Sequence, residues 1–559
     1  MKLSIPQVKH SARDFLLVTS FLPLLVEGEP ILDSWYTEGS SRYARIWATQ
    51  TQEITERSGG GTTSLTTWDS SDYADVVVGD QPSPAYAGIQ GISFSDDYVY
   101  IKATGLATNT MGPWFLDEAR TTQFPSFPGN ALILYRFPRK TNYAVDYSPS
   151  SRTATAAGAC GLFVDGVPLF NSGDTFSYDS SAGADQEPTN NNQGDGIWNR
   201  DAFSNEGVTF DAGNSHQAEE QFHYHASPAA LRSTLGDSVD YDPSVVYQGL
   251  GGASPYTENF NGQHSPIIAW TNDGLPMYGP YGYSDPMDSE SGVRRMITGY
   301  QKRDGSNDST DLSLTGRTSL PQWSVDQGQA DSRTLSSTEY GPDVSDGYQI
   351  GHYMEDYAFK GNLISDASGT AMEPYTDPST QGEFDDSLHY DLNEFNVRYC
   401  VTPEFPEGTW AYFTNVAADG TPVYPYNIGY QYFGDASLAS GIDADEVESS
   451  GVTTQFDGAA SMEPSNAGIT QNASNRTVTI TWQGIEGGIY RIETSDDLQT
   501  WDEEADSFIA DSDSVTSEDS DPNSSSRFYR LVQTGIDDYD DDEFSSSTTT
   551  TGPGLPPFP

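Results

Sequence analysis

Apolar and polar residues alternate along this chain in short runs, separated by clusters of Gly, Pro, Asp, Asn and Ser. A period of two puts successive side chains on opposite faces of an extended strand, so these runs predict strands. Residues 92–102, rich in β-branched and aromatic side chains and bounded by Gly91 and Gly105, read as one strand. Residues 131–139 read as another, ended by proline. In 160–170 an Asp165-Gly166 pair separates two apolar runs, which predicts strand, tight turn, strand. Helical periodicity is scarce. The stretch with start signals is 227–235, with Ser227 as N-cap and Pro228 in the first turn. The polar segments 30–80, punctuated by Gly59, Gly60 and Gly61, and 285–346 read as loops with short elements.

From 435 to 475 the chain is rich in Ala, Ser, Gly and Asp without periodicity, which predicts a linker. Clean alternation returns at 477–482, 490–494 and 527–532, joined by acidic turns, and predicts a small β-sandwich-like module over 476–536. The acidic run 537–543 and the Ser/Thr/Pro/Gly tail to Pro559 predict disorder. The fold class is therefore mainly β: a large β-rich domain over 29–434, then the linker, the small module and the tail.

Composition sharpens this picture in three ways. First, 33 Tyr, 25 Phe and 10 Trp are enough to build a core, so wholesale disorder is excluded despite a low apolar fraction. Second, Lys2, Lys9 and Arg13 precede an apolar run at 15–26, and Val26-Glu27-Gly28 is a cleavage candidate, so 1–28 reads as a signal peptide of an exported, secreted or cell-surface protein. That run is short for a membrane span, and no later stretch approaches one. Cys160 and Cys400 are then either one disulfide or two buried thiols. Third, 82 acidic against 26 basic residues give a net charge of −56, spread along the chain. A field of this sign argues against nucleic acid and anionic membranes as partners, and it fits a salty medium.

The charge carries a prediction. The Debye length falls from about 30 Å at 0.01 M salt to about 3 Å at 1 M, so like charges stop opposing compaction across the molecule. The melting temperature is expected to rise with NaCl, and KCl to act alike. A melting point flat in NaCl but several degrees higher in CaCl₂ at matched ionic strength would instead assign the acidic clusters, such as Glu518, Asp519 and Asp521, to specific Ca²⁺ sites.

The candidate chemistry lies in seven histidines. Four of them, His216, His223, His225 and His264, fall close together in the chain, while His352 and His389 are outlying. In a strand, His223 and His225 present two imidazoles on one face, with Phe222 and Tyr224 on the other against a core. Two such imidazoles and a third from a neighbouring segment suit Zn or Cu; the alternative is ordinary polar strand residues bonded to their neighbours. Glu219 and Glu220 sit beside this strand, but acids are so frequent that their proximity carries little weight. No nucleophile elbow, zinc-protease helix, P-loop, dinucleotide glycine pattern or paired-cysteine motif is present.

The stretch Phe222-His223-Tyr224-His225, and later His264-Ser265-Pro266-Ile267-Ile268 with Asp273-Gly274-Leu275-Pro276-Met277-Tyr278-Gly279-Pro280-Tyr281-Gly282, closely resembles the YHYH-domain family. Phe222 stands in place of the first Tyr and Ala269 in place of a Gly, and neither change removes a histidine. Residues 390–413 resemble the family's closing segment, with Asn393 where Asp is expected and Val397 where Gly is expected, so a carboxylate role at 393 does not carry over. The resemblance runs with gaps from about 70 to 434. It adds Asp273 to the candidate ligands His223, His225, His264 and His216. The small C-terminal unit resembles modules found on exported bacterial proteins. Two functions follow: an exported metal-binding protein using copper or zinc, or a non-catalytic surface or matrix protein that binds a glycan, an extracellular polymer or a protein partner.

Overall fold

Residues 92–102, expected as a single strand, form a hairpin instead. In the computed structural model, which describes residues 29–536 apart from short stretches (the longest being 70–80, 141–151 and 520–527), Ile89–Phe94 pairs antiparallel with Tyr98–Ala103. The Ser95 hydroxyl accepts from the backbone N–H groups of Asp97, at 3.3 Å, and Tyr98, at 3.0 Å. A short polar side chain that satisfies turn amides in this way competes with continuation of the strand. Ile133–Pro138 pairs antiparallel with Tyr98–Ala103, as the apolar run there predicts. The signal-peptide reading of 1–28 and the disordered-tail reading of 537–559 lie outside the described residues.

The two outer strands of this five-stranded sheet come from the stretch read as a linker. Ser440–Gly441 pairs with Ile133–Pro138, and Thr453–Asp457 pairs with Ile89–Phe94. Edge strands with one wet face need little apolar content, and of Thr453–Asp457 only Phe456 packs against the core. Their polarity hid them.

The second sheet has eight strands, in the order Val397–Cys400, Thr409–Phe413, Pro276–Tyr278, Ile267–Thr271, Gly161–Phe163, Pro168–Leu169, Gln221–Tyr224, Ser215–Ala218. Gly166, at φ +83°, makes the expected tight turn after Gly161–Phe163. Ile89, Ile101 and Phe137 from the first sheet share one core with Leu162, Ile268, Met277 and Tyr412 from the second. Strands hold 31% of the described residues and helices 13%, so the fold is mainly β. Cys160 precedes the Gly161–Phe163 strand, and Cys400 ends a strand four places away in the same sheet. At about 4.8 Å per strand they stand roughly 19 Å apart, beyond disulfide reach, and both are buried free thiols.

Two helices refine the sequence reading. Gln50–Arg57 is helical where loops and short strands were expected; Thr49 and Gln52 form a reciprocal capping box, a signal legible in the sequence. The expected 227–235 helix runs Ala229–Thr234, with Pro228 rather than Ser227 at the N-cap, and the Ser227 hydroxyl accepts from the Arg232 guanidinium at 3.3 Å.

Charge is also buried in pairs. Arg317 is 1% exposed, binds Asp356 with two hydrogen bonds of 2.8 Å, and donates to the carbonyls of Pro342, Tyr348 and Gln349. Arg317→Ala leaves a buried carboxylate and three carbonyls unserved, and is expected to cost about 3–5 kcal/mol in urea unfolding. A loss below about 1 kcal/mol would mean that water reaches the pair.

The C-terminal unit is two sheets, Ser465–Gln471, Val478–Gln483 and Ser514–Asp519 in one, and Asp502–Glu503, Gly488–Ser495, Phe508–Ile509 and Phe528–Ile536 in the other. Val478, Ile480 and Trp482 pack against Tyr490 and Ile492 from the facing sheet, which is the sandwich-like packing the alternation predicts.

Candidate metal centre

The histidine site sits at one edge of the eight-stranded sheet. Ser215–Ala218 and Gln221–Tyr224 form a hairpin whose turn is Glu219 and Glu220, with Glu219 in the left-handed region at φ 55°. A two-residue turn fixes the register, and here it sets His216 directly opposite His223. Phe222 and Tyr224 point away into separate cores, against Trp114 and Phe163 respectively. His225 follows the strand end, and its ring centroid lies 4.2 Å from that of His223. The His216 centroid is 5.1 Å from His223 and 5.4 Å from His225.

All three imidazoles are buried, and one potential donor atom from each lies within 4.8 Å of the others. Two are held by their outer nitrogens. His225 Nδ1 donates to the Asn171 carbonyl at 2.8 Å. Thr209 donates its hydroxyl hydrogen to the Glu206 carbonyl, so its oxygen accepts from His216 Nδ1 at 2.7 Å. Both bonds place the proton on Nδ1 and leave Nε2 with a free lone pair. His216 Nε2 and both nitrogens of His223 are buried without a hydrogen-bond partner. Buried polar atoms in native proteins are nearly always satisfied, so three such atoms in one cluster require an explanation.

The walls are apolar. Phe170 stacks on His223 at 3.5 Å between centroids, and Phe210 meets His216 edge-on at 4.6 Å. Burial, and then the neighbouring imidazoles, hold His216 and His223 well below the ordinary histidine range; burial pushes His225 down to about 4. The rings are therefore neutral at ordinary pH, the form in which imidazole binds a metal. Sequence reasoning missed Glu206, whose Oε2 lies 3.4 Å from His225 Nε2 and 3.6 Å from His216 Nε2. It ends the five-residue helix Ala202–Glu206, and burial raises its pKa well above the usual carboxylate range. Among 82 acids, nothing in the sequence marks it.

His264 and Asp273 are not brought to this cluster. The His264 ring packs against Tyr283 and Tyr278, at 4.8 and 5.1 Å between centroids, and donates from Nδ1 to the Ser265 carbonyl at 2.7 Å. Asp273 accepts from Thr271 Oγ1, Tyr412 Oη and the Gly434 amide, so its lone pairs tie loops together. His352 pairs with Asp185 at 2.8 Å, and His389 accepts from the Asp385 amide at 3.1 Å. Asn393 accepts from the amides of Phe395 and Val397, a turn-building role.

Fold and site together define a mainly β protein with a buried three-histidine cluster at a sheet edge. The family profile described as "YHYH protein" matches residues 135–424, more than half of the chain, and the chain belongs to that family. No curated protein matches the chain, and no solved structure does.

Proposed function

We propose that this chain is an exported protein that holds a transition metal, copper or zinc, on His216, His223 and His225. The observation that carries the reading is the division of labour among the ring nitrogens: Nδ1 of His216 and His225 is anchored outward, while His216 Nε2 and both His223 nitrogens lack partners. Outer anchors of this kind orient metal-binding imidazoles in general. Glu206 is the carboxylate placed to join them, which makes a nitrogen-rich donor set suited to Zn²⁺ or Cu²⁺ and unsuited to Ca²⁺ or Mg²⁺. Donors in a tetrahedral zinc shell stand about 3.4 Å apart, so a bound ion would draw the rings slightly inward. With zinc the chemistry supplied is activation of water if a position stays open, and with copper it is electron transfer or oxygen chemistry. The order of basic, apolar and small residues over 1–28 supports export. Among the described residues no helix is long and apolar enough to cross a membrane.

The test is elemental analysis of purified protein, before and after stripping with a chelator and reloading. Stoichiometric copper or zinc, removed by the chelator and restored by the ion, is expected. Trace metal that stays substoichiometric after Zn²⁺ or Cu²⁺ is added would end the reading.

A further inference from the structure

A second site lies where three loops converge, away from the histidines. The segment from Arg295 at the end of Val293–Arg295 to the strand Tyr300–Lys302, with Lys360 and the loop after Thr409–Phe413, lines a cavity of about 280 Å³. Its charged lining is Arg295 and Lys360, and no acidic residue lines it. In a chain with 82 acids and 26 bases, a lining whose charged members are both basic runs against the average surface.

Neither cation is locked into an ion pair among the described residues. Lys360 is 9% exposed, and among the described residues its ammonium makes no ion pair or hydrogen bond. Burial lowers its pKa, and the charges of the nearby Asp386 and Asp391 carboxylates offset only part of that cost. Arg295 donates from one nitrogen to the Val416 carbonyl at 2.9 Å and makes no other side-chain hydrogen bond among the described residues, with the Asp419 carboxylate near enough to interact with its charge. Asn415, 1% exposed and in the same lining, donates one hydrogen bond from Nδ2 to Asn396 Oδ1 at 2.8 Å while its own Oδ1 is buried without a hydrogen-bond partner. Thr298, Gln301 and Asn307 complete the polar wall.

We propose that this cavity binds a small hydroxylated carboxylate of the uronic-acid class, with the carboxylate on Lys360 and Arg295 and the hydroxyls on the amide and hydroxyl side chains. Two considerations select that chemistry. The long-range field of net −56 penalises a polyanion more than a monoanion, so one carboxylate is favoured over a phosphate dianion. The volume of about 280 Å³ falls just below the range of drug-sized ligand pockets, roughly 300–1,000 Å³, which suits a single sugar ring and not a chain. The site shares no residue with the histidine cluster, so its failure and that of the metal reading are separate results.

Isothermal titration calorimetry with D-glucuronate and glucose at fixed ionic strength tests it. Saturable binding of glucuronate is expected, with glucose at least about ten-fold weaker. Lys360→Met is expected to weaken glucuronate by at least about ten-fold, and Lys360→Arg to retain most of the binding. Arg295→Gln, at a less buried position, is a second variant should Lys360→Met fold poorly, and it is expected to weaken binding in the same direction. Absence of glucuronate binding to the unaltered protein, equal binding of glucose, or unchanged affinity in Arg295→Gln together with any folded Lys360→Met would overturn the proposal.

Discussion

Leucine in place of His223 is expected to act in opposite directions on the metal-free and the metal-loaded protein. In the metal-free state the ring contributes two buried nitrogens without partners, and each such atom costs about 1–3 kcal/mol. An apolar side chain of similar volume removes that cost and gives up the stacking on Phe170, about 0.5–1.5 kcal/mol. A net gain of about 0.5–5 kcal/mol is expected in the presence of a chelator. At a free ion concentration a thousand times the dissociation constant, binding adds about 4 kcal/mol to the unaltered protein, and the variant forfeits it. Melting curves of both proteins with chelator and with excess Zn²⁺ should therefore cross over. A variant less stable under both conditions, with no metal response in either protein, would mark His223 as an ordinary core residue.

Stability is also expected to fall by a few kcal/mol between about pH 6 and 8 in metal-free protein at constant ionic strength. Burial pushes Asp165, Asp201 and Glu355 up to about 7. Their unfolded values lie near 4, so between roughly pH 4 and 7 the folded chain binds protons that the unfolded chain has released. Linkage then makes stability decrease as pH rises through that window and level off above it. The depressed histidines act with the opposite sign below about pH 6.5, where unfolded imidazoles take up protons that the buried rings refuse. The two effects together put the optimum near pH 6. Urea unfolding at pH 6 and pH 8 reads the difference, and greater stability at pH 8 would show that these carboxylates ionise normally in the folded state.

What the sequence made legible follows the range of the physics involved. His223 and His225 could be paired because a strand's period of two is local, and Phe222 and Tyr224 face cores for the same reason. The place of His216 opposite His223 depends on a register set by Glu219 and Glu220, a turn without the Gly or Asn that announces a hairpin. Glu206 reaches the cluster through tertiary packing alone. Conversely, His264 and Asp273 were attractive through the motif around them, and the structure uses that motif to build loops and a strand in the core. Thr49 and Gln52 announced their helix, whereas Ser440–Gly441 and Thr453–Asp457 gave no apolar signal because a sheet edge does not demand one.

Those two edge strands separate the unit that is recognised from the unit that folds. The family match ends at 424, yet the five-stranded sheet closes only with Thr453–Asp457 and draws its central strands from Ile89–Phe94 and Tyr98–Ala103, ahead of the match. A fragment cut to the matched boundaries would keep the histidine hairpin and lose the layer that covers its sheet, baring Leu162, Ile268 and Met277 to water. The smallest heritable piece that can carry this site from one protein to another therefore begins before the sheet's first strand and ends after its last, and shuffling at any inner boundary would transmit the motif without a body to hold it.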